Sequence, residues 1–225
     1  MKKGKRFIII LVIIFLIVIP CIFVYMQQPV SSKDVLKRVS HDNGATYKAK
    51  EMKVNNLQEK MGMQLFQVER NNDEMGSVAG YFLVNRMNSR GLMCFIEDEY
   101  GDCVCADYDG DGKYEFLYVG CLPLTNAPHS ILYVYETKGN KIWMDGAYWI
   151  KDNSGHIIKF TLKGGKNNKI YLYGAENEDS DTEFSCRDGI WNFTGKLSST
   201  LELENITDKL KENDVAYALK NLREF

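Results

Sequence analysis

The chain has 225 residues, of which 45% are hydrophobic and 26% are charged, an ordinary balance for a globular protein. The formal net charge is −2, and because four basic residues lie within residues 1–6, the remainder carries −6. A mildly acidic domain does not attract a phosphate backbone, so no nucleic-acid partner is predicted. The thirteen Tyr and eleven Phe residues favour strands over helices.

Residues 7–26 form a run without any charged side chain. A helix of that length rises about 30 Å, which is close to the thickness of the hydrocarbon core of a bilayer. Basic residues precede the run and none follows it until Lys33, so the positive-inside rule places residues 1–6 in the cytoplasm and the rest outside. The sequence therefore predicts a single-pass cell-membrane protein with an uncleaved signal anchor and an extracytoplasmic domain. A cleaved signal peptide and, through Cys21, a lipoprotein are the alternatives, and both also place the domain outside the cytosol.

The rest of the chain is predicted as a linker followed by a mainly β domain. Residues 27–60 are interpreted as the linker, with a short helix opened by a capping box between Ser31 and Asp34. Residues 61–225 alternate short apolar runs with turn residues, which is typical of an antiparallel β meander in a curved sheet, a sandwich or a partial propeller. A C-terminal helix is predicted from Asn213 onward. The predicted strands are 64–69, 81–86, 92–97, 102–107, 114–119, 131–136, 142–143, 148–151, 156–162, 169–173, 182–186, 190–195 and 200–204.

The most specific motif is an acidic loop between two predicted strands. Acidic side chains stand at loop positions 1, 3, 5 and 9, with glycine at position 6. Alternate positions on a tightly curled loop point their carboxylates towards one centre, and calcium takes six to eight oxygen ligands. The glycine permits the sharp turn that directs a backbone carbonyl to the same centre. The sequence predicts a calcium site with five ligand residues: Asp107, Asp109, Asp111, Lys113 (through its carbonyl) and Glu115.

This loop resembles the FG-GAP/VCBS-type calcium loop of integrin-like β-propeller proteins, D-x-D-x-D-G-x-x-D followed by an apolar strand. Asp107, Asp109 and Asp111 match three side-chain ligands of that loop, and Lys113 matches its carbonyl position. Glu115 stands where the family has Asp, which implies looser or water-mediated coordination. Such families repeat the loop, whereas this chain has one copy, so the resemblance implies a smaller sheet that carries the loop.

Five cysteines follow the apolar run, at positions 94, 103, 105, 121 and 186. No C-x-x-C spacing occurs, so a zinc ribbon or a thioredoxin-like redox motif is not indicated. Two interpretations stay open: buried thiols that behave as small hydrophobic side chains, or a disulfide that joins Cys103 or Cys105 to Cys94 or Cys121.

No catalytic motif stands out. The favoured hypothesis is a non-enzymatic, membrane-anchored binding or adhesion-type module, stabilised by calcium, whose partner is a surface protein, a wall polymer or a glycan. The alternatives are an extracytoplasmic hydrolase, for which His129 is the nearest candidate, and an accessory subunit of a membrane complex. Trp143, Trp149 and Trp191 could form a sugar-stacking face, although core packing is the simpler interpretation.

Overall fold

A computed structural model describes residues 13–22, 24–25, 28–39, 47–70, 78–86, 89–92, 103–121, 130–138, 141–153, 160–164, 169–174, 177–187, 190–195 and 199–208. Beyond the helical residues near the N-terminus, the described part of the chain forms helices at Ser32–Val39 and Leu57–Met61. The strands are β1 (Tyr47–Met52), β2 (Gln64–Arg70), β3 (Val78–Val84), β4 (Ser89–Leu92), β5 (Val104–Ala106), β6 (Glu115–Cys121), β7 (Ser130–Lys138), β8 (Lys141–Asp152), β9 (Phe160–Gly164), β10 (Ile170–Gly174), β11 (Asn177–Arg187), β12 (Ile190–Gly195) and β13 (Leu201–Asn205).

The strands form three antiparallel sheets, so the prediction of a mainly β fold is confirmed. The N-terminal sheet has the order β1-β2-β3-β4, the central sheet β13-β8-β7-β6-β5, and the C-terminal sheet β12-β11-β10-β9. Most neighbours in a sheet are consecutive in sequence, as expected for meanders with short connections. β13 is the exception, because it returns from beyond the C-terminal sheet to pair with β8 from Leu201 to Asn205.

The central sheet is the middle layer of the fold. One of its faces, with Phe116 and Tyr118, packs against Leu65 and Leu83 of the N-terminal sheet. The opposite face packs against the C-terminal sheet through residues that include Leu117, Val119, Leu132, Phe160 and Leu172. Successive side chains of a strand point to opposite faces, so alternate residues of β6 belong to two different hydrophobic cores.

The Ser32–Val39 helix covers the outer face of the N-terminal sheet, where Val35 packs with Phe66 and Phe82. The predicted capping box is present: Ser31 Oγ accepts a hydrogen bond from the Asp34 N–H at 3.2 Å, and the Ser31 N–H donates to Asp34 Oδ2 at 3.4 Å. β1 lies within the segment that was predicted as a linker and pairs with β2 over six residues. The predicted C-terminal helix lies outside the described residues.

The prediction of a transmembrane helix over residues 7–26 is wrong. In the described part of the chain, no helix has the length and apolar character needed to cross a bilayer. The single-pass topology and the cell-membrane localisation depended on that span, so both are corrected with it.

Candidate metal centre in the β5–β6 loop

The acidic loop joins β5 to β6 at one edge of the central sheet. Glycine occupies the two loop positions with left-handed backbone, Gly110 at φ +77° and Gly112 at φ +88°. That region is costly for any residue with a Cβ atom, so these glycines allow the loop to curl back on itself. Two side-chain to backbone bonds hold the curl. The Asp111 N–H donates to Asp109 Oδ1 at 3.0 Å, as in an Asx turn, and the Gly112 N–H donates to Asp107 Oδ2 at 3.1 Å across five residues.

Three of the predicted ligand residues meet. One carboxylate oxygen from each of Asp107, Asp109 and Glu115 lies within 4.8 Å of the other two. Asp107 and Asp109 are half-buried, while Glu115, the first residue of β6, is only 5% exposed. The strand holds Glu115 by its backbone, and the curled loop brings the two aspartates over it.

Asp111 is not part of this cluster. Its Oδ1 accepts a hydrogen bond from the Lys113 N–H at 2.8 Å, and its Oδ2 lies 2.5 Å from Lys113 Nζ. The hydrogen bond from Lys113 lowers the pKa of Asp111, and the same bond raises the pKa of the lysine. Lys113 therefore contacts Asp111 through both its backbone N–H and its side chain. The use of its carbonyl as a metal ligand stays a prediction.

The cluster carries excess negative charge with little internal compensation. Burial, followed by the negative charges of Asp109, Asp111 and Asp107, raises the pKa of Glu115 to about 8. Among the described residues, Glu115 Oε2 accepts a hydrogen bond from the Tyr108 N–H, and that bond is long at 3.4 Å. Asp107 Oδ1 is buried and has no hydrogen-bond partner among the described residues. A buried carboxylate oxygen without a donor is costly, and a cation is the ligand that would remove the cost.

The donor set is chemically selective. Carboxylate oxygens suit hard cations such as calcium or magnesium, whereas zinc and copper prefer nitrogen and sulfur ligands.

Cys105 on β5 is the nearest cysteine whose side chain is described, and it is buried. Burial and, after it, the charge of Glu115 raise the pKa of its thiol to about 12. It therefore stays protonated, as a small core side chain, which is the first of the two interpretations open for the cysteines. Cys94 and the side chain of Cys121 lie outside the described residues.

Tyr108, which the sequence analysis did not select, connects the acidic loop to the other strands. Its carbonyl accepts a hydrogen bond from the Cys186 N–H on β11 at 3.1 Å, and its hydroxyl donates to Asp145 on β8 at 3.5 Å. Its ring stacks on Trp191 of β12, with the centroids 5.6 Å apart. The signal that could have found it is an aromatic residue within an otherwise polar loop, because such a ring needs a place to be buried.

The three tryptophans do not form one platform. Trp191 is half-buried between Tyr108 and Tyr148, and Trp149 packs against the opposite core with Lys151 over its ring. Trp143 is 47% exposed. All three histidines, including His129, lie outside the described residues.

Comparison with family models, with curated proteins and with solved structures returned no match to this chain.

Proposed function

We propose that this chain is a non-enzymatic binding module whose β5–β6 loop holds one structural calcium ion. Asp107, Asp109 and Glu115 supply the carboxylates, and water completes the six to eight oxygens that calcium takes. The observation that carries the proposal is the buried Asp107 Oδ1, which has no hydrogen-bond partner in the described part of the chain, beside the buried carboxyl group of Glu115. Burying these two ionised carboxylates costs free energy unless a cation binds between them.

The ion has a structural role in this proposal because the loop that would hold it contacts three other strands of the fold. Tyr108 stands between two proposed ligands and contacts β8, β11 and β12 at once. An ion that fixes Asp107 and Asp109 also fixes the residue between them, and thereby the contact of the central sheet with the C-terminal sheet. The partner that the module binds would be a surface protein, a wall polymer or a glycan, as the sequence analysis proposed.

Calorimetric melting in calcium, in magnesium and in chelator tests the proposal. At a tenfold excess of calcium over its Kd, mass action adds about 1.4 kcal/mol to the unfolding free energy. For a chain of this size we expect a rise in the melting temperature of about 3–6 °C. Asp107→Asn should abolish that rise. Glu183→Gln is the matched control: Glu183 pairs with Lys169 on the C-terminal sheet at 2.7 Å, and its loss should leave the rise intact.

Two further measurements, isothermal titration calorimetry and tryptophan fluorescence, test whether calcium binds at this loop. Isothermal titration of calcium into the protein should give heat with the wild type and none with Asp107→Asn. Trp191 fluorescence should shift on calcium addition, because the ring stacks on Tyr108, and the shift should disappear in Trp191→Phe. If calcium produces neither heat nor any change in melting, the proposal is wrong.

A further inference from the structure

The outer strands of the three sheets differ in how they are protected. β1 carries exposed charges at Lys48 and Lys50, and β13 carries glutamates at positions 202 and 204. Charged side chains on an edge strand discourage a second strand from adding to it. β12, with the sequence Ile190–Gly195, carries no charge at all. The other outer strands are β4, which contains Arg90, β9, which contains the exposed Lys163, and β5, whose three residues are all buried. Among the described strands, β12 is therefore the outer strand that is both exposed and uncharged.

β12 also exposes a surface suited to pairing. Ile190 is 66% exposed, and Asn192 and Thr194, on the same face of the strand, are exposed as well. Trp191 and Phe193 on the other face are half-buried against the core of the C-terminal sheet. Isoleucine, threonine and aromatic residues are strong strand formers.

The strand has one neighbour, β11, in the part of the chain that the structure describes. The pairing with β11 is regular from Thr182 opposite Gly195 to Arg187 opposite Ile190. At the start of β12, the side-chain amide of Asn192 donates to the carbonyl oxygen of Ile190 at 3.2 Å. This bond is local and exposed, so exchanging it for a hydrogen bond to another strand would cost little free energy.

We propose that β12 is a homodimerisation edge, at which two copies of the chain pair antiparallel about a two-fold axis through Asn192. Opposed residues in an antiparallel pair point to the same face, so exposed residues must oppose exposed residues. The register centred on Asn192 meets that condition and uses five residues of each strand. It joins two four-stranded sheets into one continuous sheet.

A second copy is the occupant because the strand is complementary to itself in this register. Ile190 of each copy opposes Thr194 of the other, and Trp191 opposes Phe193. β-branched pairs and aromatic pairs are both stabilising across strands, and no like charges oppose one another. The contact is isologous, so it closes at two copies and does not propagate.

Analytical ultracentrifugation of the full chain, in a non-ionic detergent that keeps the exposed apolar residues near the N-terminus dispersed, tests the proposal. We expect a mass that rises with concentration from one copy to two. Asn192→Lys places like charges opposite each other on the axis and should weaken the dimer at least tenfold. The matched control is Ser185→Lys, because Ser185 is exposed and directly opposes Asn192 on the inner strand β11. It should leave the dimer intact.

A cysteine at the axis tests the register. Opposed residues in such a pair have Cα atoms about 4.5 to 5.5 Å apart, within the range of a disulfide. Under mild oxidation, Asn192→Cys should give a cross-linked dimer beyond the background of the wild-type chain, whose thiols include exposed Cys21. Ser185→Cys should add nothing to that background. Circular dichroism of each variant checks that the fold is kept.

Three results would overturn the proposal. The first is a mass of one copy at every concentration. The second is a dimer that survives Asn192→Lys. The third is equal loss of the dimer in Asn192→Lys and Ser185→Lys, which would indicate contact through the sheet face and not through its edge.

Discussion

Two buried polar clusters of this protein differ in how completely their polar atoms are hydrogen-bonded. At the N-terminal sheet, Gln64 is 6% exposed and its amide is fully used: it accepts from the Val30 N–H at 2.5 Å and donates to the Val30 carbonyl at 3.3 Å and to Glu51 at 2.8 Å. At the β5–β6 loop, Glu115 is equally buried but has one long hydrogen bond. A neighbouring carboxylate oxygen, Asp107 Oδ1, has none among the described residues.

The difference separates structural polar groups from ligand-binding ones. The Gln64 cluster is complete, and it ties the segment before the Ser32–Val39 helix to β2. Arg86 adds to this tie by donating to the carbonyls of Gln28 and Pro29. The acidic loop is incomplete, because its carboxylates repel each other and the buried Asp107 Oδ1 has no hydrogen-bond partner among the described residues. A buried group whose partners are all present indicates architecture, whereas one with a missing partner indicates a ligand.

The largest expected effect is the loss of stability when the hydrogen bonds of Gln64 are removed. Gln64→Ala leaves the buried N–H and carbonyl of Val30 without partners, so we expect the unfolding free energy to fall by about 4 kcal/mol. The loss should be the same in calcium and in chelator, since no part of this cluster binds a metal. Gln67→Ala, on the same strand but half-buried, is the control and should cost about 1 kcal/mol or less. Urea denaturation measures both, and a calcium-dependent loss in Gln64→Ala would contradict the contrast.

The second effect is a pH dependence of the folding stability, which arises from Glu115 in the acidic loop. The folded-state pKa of Glu115, about 8, lies above its ordinary value of 4.5. Between these pH values the folded chain keeps a proton that the unfolded chain has released, so in chelator the stability should fall as the pH rises from 4.5 to 8. We expect a loss of about 2 kcal/mol, less than the full pKa displacement implies, because the adjacent loop residues are open to water.

Melting in chelator at a series of pH values measures this dependence. Glu115→Gln should flatten it, because the amide does not titrate, and should raise the melting temperature of the metal-free protein at neutral pH. Saturating calcium should also flatten the dependence in the wild type, since the ion favours the ionised carboxylate. An unchanged slope in Glu115→Gln would assign the effect to other groups.

The smallest effect concerns Asp111, which the sequence predicts as a ligand and the structure pairs with Lys113. Because this pair is exposed, Asp111→Asn should change the unfolding free energy in chelator by less than about 0.5 kcal/mol. If Asp107, Asp109 and Glu115 hold the ion, most of the calcium-induced rise in melting temperature should survive. Loss of that rise would contradict the three-carboxylate arrangement and support the five-residue ligand set of the sequence prediction.

Local sequence patterns predicted the elements of the fold better than their assembly. The 190–195 run was predicted as a strand and is β12, and the 114–119 run falls on β6. The capping box at Ser31 is also local chemistry and was found where predicted. The apolar run 7–26 was predicted from composition alone, and no helix in the described part of the chain is long and apolar enough to cross a membrane.

What the sequence determined by itself is the β character of the chain and the acidic loop between two strands, because strand periodicity and glycine positions are properties of neighbouring residues. What only the tertiary structure decided is which carboxylates meet. Glu115 is buried, and Tyr108 reaches Trp191 across the fold. Those outcomes depend on how three sheets stack, and stacking follows from contacts between residues far apart in the chain.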